Sequence, residues 1–198
     1  MIHLVTGSMY SGKSEYIIKR VKDLQEKGVS VACFKPSRDT RDKQYIRSRA
    51  LAYGVMARFI PTDSFKNPFY LTPEEENSDI IVIDEVQFVD VNVINYLITQ
   101  WLNKREGRVL LLAGLEKDFL NKDFATISFI KMFNPIIERL KADCFICGKS
   151  SLCSSRRVDN NKIVLQGHQV AIEGKKFEYI ALCGKCDDKK LKEVGKCC

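Results

Sequence analysis

The octapeptide Gly-Ser-Met-Tyr-Ser-Gly-Lys-Ser, residues 7–14, follows the apolar run Ile2-His3-Leu4-Val5. It matches G-x-x-x-x-G-K-[ST], with Gly7, Gly12, Lys13 and Ser14 in the fixed places. Such a loop works in one setting, between a strand and the helix it opens. There, Gly7, Ser8, Met9, Tyr10, Ser11 and Gly12 turn backbone N–H groups inward around phosphate oxygens, and the helix amino terminus adds positive potential. Lys13 would then bridge the β- and γ-phosphates, and the Ser14 hydroxyl would ligate Mg²⁺. A chance glycine turn would need neither the strand before it nor the helix after it.

A second segment answers the first. Ile80-Ile81-Val82-Ile83 is a continuous β-branched run, as found in strands buried on both faces of a parallel sheet, and it ends in Asp84-Glu85. Ligands gather at that carboxyl edge, where phosphate-loop enzymes place an acid to hold the metal or its waters. Asp84 fits the metal-side acid, and Glu85 is placed to act as a base or to activate water.

The intervening pattern predicts an α/β fold with a mostly parallel sheet flanked by helices. Strands are expected at His3–Thr6, Val29–Phe34, Asp79–Asp84 and Val109–Ala113. Helices are expected from the glycine loop to about Lys27, where Gly28 supplies a stop, from Val91 to Asn103, and over Ala125–Leu140 with a break at Pro135. The charged stretch Ser37–Tyr53 reads as a loop with a short helix. From Ala142 the character changes to cysteines and short β-like runs without a long helix, closing with a solvated lysine-rich tail from Asp187. The division is therefore 1–141, a phosphate-loop domain, and 142–198, a small second domain.

The cysteines explain the second domain. Of eight, four form the pairs Cys144-x-x-Cys147 and Cys183-x-x-Cys186, with a 35-residue excursion between them. Four thiolates from two tight turns close a tetrahedral structural zinc site. A redox role is disfavoured, because neither pair is expected to follow a strand and open a helix as in thioredoxin-like motifs. Cys33 is expected in the core, while Cys153 and the terminal Cys197-Cys198 carry no clear assignment.

Composition sets the limits. A chain of 198 residues with 45% hydrophobic and 29% charged residues is globular, and no apolar run reaches ~18 residues, so no membrane span is expected. Lys13, Glu15 and Lys19 follow the first strand in place of a signal peptide, which points to a cytoplasmic protein. The net charge of +7 is scattered among 25 acids and suits a nucleotide as well as a nucleic acid.

Taken in order, these pieces resemble the type II, zinc-containing cytosolic thymidine kinases. The resemblance runs through the glycine loop, KPSRDTR (35–41), IDEVQF (83–88), GLEKDF (114–119) and both cysteine pairs. It implies ATP-dependent phosphorylation of thymidine, and of deoxyuridine, with dTTP as feedback inhibitor, structural Zn²⁺ in a lasso domain, Mg²⁺ with ATP, and a homotetramer. Glu85 would be the general base. Asp39, Arg41, Asp84 and Gln87 would join the loop around ATP and Mg²⁺. Met9, Phe88, Leu115, Phe119, Ser154 and Tyr179 would line the nucleoside pocket, with the backbone of Val170 and Ile172 reading the base from a lasso between the cysteine pairs. The chain departs from the family pattern at Ser154 for a threonine, Gly174-Lys175 for a double glycine, Val89 for a phenylalanine, and Ser48-Arg49 for Ser-His. Those changes bear on base selectivity more than on the reaction. His3 and His168 are not needed for it.

Two other readings remain. One is a phosphate-loop ATPase whose zinc module grips nucleic acid, although residues 142–198 lack interleaved aromatic and basic residues. The other is a nucleotide-binding paralogue without catalysis, against which Lys13, Ser14, Asp84 and Glu85 all stand intact.

Overall fold

The run before the glycine loop forms strand β1 (Ile2–Thr6), and helix α1 (Lys13–Glu26) begins at the loop's lysine. A computed structural model describes residues 1–38, 44–159, 162–167 and 178–195. In chain order there follow β2 (Val31–Pro36), β3 (Tyr45–Arg47), β4 (Gly54–Met56), β5 (Arg58–Ile60), α2 (Pro73–Glu76), β6 (Ile80–Ile83), α3 (Val91–Tyr96), β7 (Val109–Gly114), α4 (Ala125–Lys131) and β8 (Ile136–Arg139). The chain closes with β9 (Ala142–Asp143), β10 (Ser150–Ser151), β11 (Cys153–Asp159), β12 (Lys162–Ile163), β13 (Glu178–Cys183) and α5 (Gly184–Gly195). It divides into two units. One comprises Met1–Val5, Lys13–Gly114 and Ala125–Glu138, and the other Thr6–Gly12, Leu115–Phe124 and Arg139–Cys198. The expected boundary after residue 141 is therefore only part of the division, because two earlier segments join the second unit.

The first unit is built on the sheet β5-β2-β6-β7-β1-β8, in which β5/β2, β2/β6 and β6/β7 are parallel. All four residues of β6 are buried, as a β-branched run covered on both faces should be. From α1, Ile17, Ile18 and Val21 are fully buried, and Gly28 at φ +76° ends the helix in the left-handed region that glycine adopts without steric cost. Asp90 caps α3, its Oδ1 accepting from the Asn92 amide at 2.9 Å. Beyond α3 the chain widens into a π turn over Leu97–Trp101, where the expected helix to Asn103 was uniform.

Three expectations change. The stretch 37–53 contains no helix among its described residues, and Tyr45–Arg47 pairs instead with Gly54–Met56 as a hairpin. The helix expected to Leu140 stops at Lys131. Pro135 has no N–H to continue it, and Ile136–Arg139 becomes the edge strand β8. Finally, the tail from Asp187 is helical through Gly195 as part of α5, with Asp187 buried while Asp188, Lys189, Lys192 and Glu193 are exposed as expected.

In the second unit β11 pairs antiparallel with β12 and β13. Val158, Ile163, Ile180 and Leu182 form a small core with Cys144 and Cys183, and Leu191 from α5 packs against it.

Candidate active site and metal centre

The glycine loop holds the backbone its motif demands. Tyr10 and Gly12 lie at φ +66° and +81°. A Cβ on Gly7 would fall 2.4 Å from Ser11 Oγ and 3.0 Å from the Leu140 carbonyl oxygen, so no larger residue fits that turn. The Ser11 hydroxyl is buried with no hydrogen-bond partner among the described residues, a polar atom that an oxygen-rich ligand could satisfy. The Met9 amide donates to Ser155 Oγ at 2.8 Å, tying the loop to β11.

In the first unit the acids sit as the sheet predicts. Ser14 Oγ, in the opening turn of α1, donates to Asp84 Oδ2 at 2.8 Å, and Lys13 is buried. Burial, reinforced by the charge of Glu85, raises the Asp84 carboxyl to about 6, against the opposing pull of the Ser14 hydroxyl, the Glu85 amide and the Lys13 ammonium. A hydroxyl and a carboxylate brought together at one sheet edge are hard oxygen donors of the type Mg²⁺ takes. Glu85 is left-handed at φ +52°, a conformation that costs about 1–3 kcal/mol for a side-chain-bearing residue and tends to survive where function demands it. Gln87 Nε2 donates to its Oε2, and Gln87 is pressed against Gly114, where a Cβ would come within 2.5 Å of Gln87 Oε1. Phe88 is half-buried in the short turn that follows, Val86–Phe88.

The remaining described nucleoside candidates belong to the second unit. Leu115, Ser154 and Tyr179 are half-buried, and Phe119 is buried beneath the Arg157 guanidinium, 3.7 Å from its ring centroid. The Phe119 loop braces itself. Asp118 Oδ1 accepts from the amides of Leu120 and Lys122, both at 2.8 Å, and Asn121 takes φ +67°. Register sorts the strand residues. Ser155 lies opposite Ala181 and Arg157 opposite Tyr179, so Ser155 shares a face with Tyr179 while Ser154, opposite Leu182, shares the other with the core.

The four paired cysteines converge. Their sulfurs all lie within 4.8 Å of one another, with Cys147 and Cys183 at 3.8 Å. A tetrahedral zinc ion with Zn–S bonds of about 2.3 Å needs sulfurs about 3.8 Å apart, so the residues fit the ion. The first turn closes through Gly148, whose amide donates to the Cys144 carbonyl at 2.8 Å, and the second spans the end of β13 and the start of α5. Burial opposes ionisation of Cys144, yet hydrogen bonds from the backbone at Cys183, Cys147 and Ile146 outweigh it and hold the thiol at about 6. Cys183 ends β13 and Cys186 lies in the first turn of α5, so the second pair does follow a strand and open a helix, contrary to expectation. What supports the metal is the gathering of all four sulfurs.

Asp39, Arg41, Val170 and Ile172 lie outside the described residues, as do His168, Lys175 and Cys197-Cys198. His3 is half-buried in β1, its Nε2 3.4 Å from Glu138 Oε2. Burial raises the Cys33 thiol to about 12. Cys153 donates to the Ala142 carbonyl at 3.3 Å. Lys35 opens the KPSRDTR motif but has no role assigned from sequence, and it is buried in β2 with Nζ donating to the Tyr45 carbonyl at 3.1 Å; Ser155, Arg156 and Asp187 likewise have no role assigned from sequence. No feature of residue type separates Ser155 from Ser154, and only strand pairing does so.

A family model described as thymidine kinase matches residues 1–187. Among curated relatives, the thymidine kinase of Mycoplasma capricolum subsp. capricolum is 31% identical over 198 residues, 98% of this chain and 91% of the relative. That of Mesomycoplasma hyopneumoniae strain 7448 is 31% identical over 189 residues, 94% of each chain. No helix among the described residues is long and apolar enough to cross a membrane.

Proposed function

Because the chain belongs to the thymidine kinase family, we propose that it phosphorylates thymidine at the 5′-hydroxyl with ATP as donor, accepts deoxyuridine, and is inhibited by dTTP. The observation that carries the phosphoryl-transfer reading is the Ser14–Asp84 hydrogen bond, which brings the helix-opening hydroxyl and the strand-end acid of a phosphate-loop enzyme within 2.8 Å. The glycine loop and Lys13 hold the triphosphate, with Asp39 and Arg41 assisting. Ser14 and Asp84 would hold Mg²⁺ directly or through its waters, and the ion would neutralise phosphate charge. Glu85 accepts the proton of the 5′-hydroxyl as that oxygen bonds to the γ-phosphorus. The bond from phosphorus to the β-bridging oxygen breaks, and ADP leaves.

Met9, Phe88, Leu115, Phe119 and Tyr179, with the backbone of Val170 and Ile172, form the nucleoside pocket in this reading, and Ser155, on the Tyr179 face of β11, takes the place expected of Ser154, which faces the core. Cys144, Cys147, Cys183 and Cys186 would hold Zn²⁺ at the base of the loop that would close over the nucleoside. The assembly is a homotetramer in the cytoplasm. Purified protein with Mg·ATP should convert thymidine to its 5′-monophosphate, and Glu85→Gln should end turnover while thymidine still raises the melting temperature. Near-normal turnover in that variant refutes the base assignment. Stimulation of ATP hydrolysis by DNA or RNA, in place of thymidine phosphorylation, would favour the nucleic-acid reading.

A further inference from the structure

Arg156 is buried in β11 and makes three directed bonds. Its Nε and Nη2 donate to Asp187 Oδ1 and Oδ2, both at 2.7 Å, and its Nη1 donates to the Phe119 carbonyl at 2.9 Å. Asp187 is itself buried in the first turn of α5, one residue beyond the metal-ligating Cys186. One planar guanidinium therefore holds the start of the metal-bearing helix and the backbone of the Phe119 loop in fixed relation. The paired geometry matters. A bidentate fork fixes the angle between carboxylate and guanidinium as well as their distance, and a buried pair of this kind has no water to substitute for a lost partner. The Phe119 loop is also braced from within through Asp118, and the Arg157 guanidinium lies over the Phe119 ring, so the Arg156 bond to the Phe119 carbonyl is one of the long-range restraints on where Phe119 sits.

We propose that Arg156 is a positioning residue that couples the cysteine-bound metal to the nucleoside, by transmitting the placement of α5 through Asp187 to the Phe119 carbonyl. The inference rests on the reading of Phe119 as part of the nucleoside pocket. Coupling between two ligands is reciprocal, so thymidine should steady the metal as much as the metal steadies the thymidine pocket.

The experiment uses the full-length zinc-loaded enzyme and the variants Arg156→Lys, Asp187→Asn and Phe119→Leu. Steady-state kinetics give the KM for thymidine and for ATP, and a chromogenic chelator follows zinc release with and without saturating thymidine. In the unaltered enzyme thymidine should slow zinc release at least fivefold. Arg156→Lys and Asp187→Asn should each raise the thymidine KM at least fivefold, leave the ATP KM within twofold, retain one zinc per chain, and lose the protection by thymidine. Phe119→Leu should raise the thymidine KM while retaining zinc. A loss of stability alone would lower the melting temperature and leave the protection by thymidine intact, and that result overturns the proposal. So does zinc release that thymidine leaves unchanged in the unaltered enzyme, a measurement that needs no variant to fold. If Phe119→Leu has no effect on thymidine, the pocket reading fails and the coupling with it. If Phe119→Leu responds while the other two variants do not, the coupling alone fails.

Discussion

Ser14 and Asp84, separated by 70 positions in the chain, share a hydrogen bond of 2.8 Å at the point where α1 begins and β6 ends. That bond satisfies the acid only in part. Asp84 stays burdened by burial and by the charge of Glu85, and its carboxyl rises to about 6.

The burden predicts a pH signature. Between the ordinary aspartate range, near 4, and about 6, the folded protein binds a proton that the unfolded chain has lost. Stability from this group is therefore full at low pH and falls as pH rises through 6. Replacing the acid by its neutral isostere should remove the penalty. Asp84→Asn should melt higher than the unaltered protein at pH 7.5 by the equivalent of roughly 1–3 kcal/mol, and the gap should shrink at pH 4.5. Thermal melts in the absence of nucleotide and metal measure both. Turnover should fall in the same variant if Asp84 has its proposed place beside the phosphate.

Glu85 makes a second separation of stability from activity. Its φ of +52° is one that glycine adopts freely. Glu85→Gly should relieve that strain, offsetting the lost bond to Gln87, and keep the melting temperature within a few degrees. Under the proposed base role of Glu85, phosphorylation of thymidine should drop by about 10²-fold or more. A product assay beside a melting curve decides it. A variant that unfolds would show that the left-handed turn depends on the side chain.

Cysteine substitutions should sort the ligands from their neighbour. Cys186→Ser should release the metal and destabilise the second unit, because binding energy at such a site is folding energy. Cys153→Ser should retain one zinc per chain, since the Cys153 thiol is engaged with the Ala142 carbonyl. Metal analysis after gel filtration separates these outcomes, and loss of zinc from the Cys153 variant would overturn the four-ligand assignment.

The glycine loop tolerates no bulk at its first position. Gly7→Ala would place a methyl group 2.4 Å from Ser11 Oγ and 3.0 Å from the Leu140 carbonyl oxygen. Rotation can move the serine hydroxyl away, but Ser11 Cβ at 2.9 Å and the Leu140 carbonyl oxygen stay in place, so the turn must open. ATP affinity should weaken at least tenfold while the thymidine KM changes little, read from initial rates at varied ATP.

Local chemistry made much of this legible in the primary structure. The glycine loop can be recognised because its glycines, lysine and serine are fixed by one backbone path. The run Ile80–Ile83 could only be a doubly covered strand, and it delivered Asp84 and Glu85 to the sheet edge. The spacing of the two cysteine pairs suggested a shared metal site, and the convergence of their four sulfurs supports it. Other features depended on partners distant in the chain. Ile136–Arg139 carries no local mark that distinguishes a helix continued past Pro135 from an edge strand, and a place beside β1 settled it. The tail from Asp187 reads as solvent-facing by charge, yet Asp187 is buried because Arg156, 31 positions earlier, meets it with a matched fork. Ser154 and Ser155 are the same residue type, and only the pairing of β11 with β13 decides which of them shares a face with Tyr179. Sequence fixes what each segment can do by itself. The choice among near-equal local options falls to the pairing and burial that the folded chain supplies.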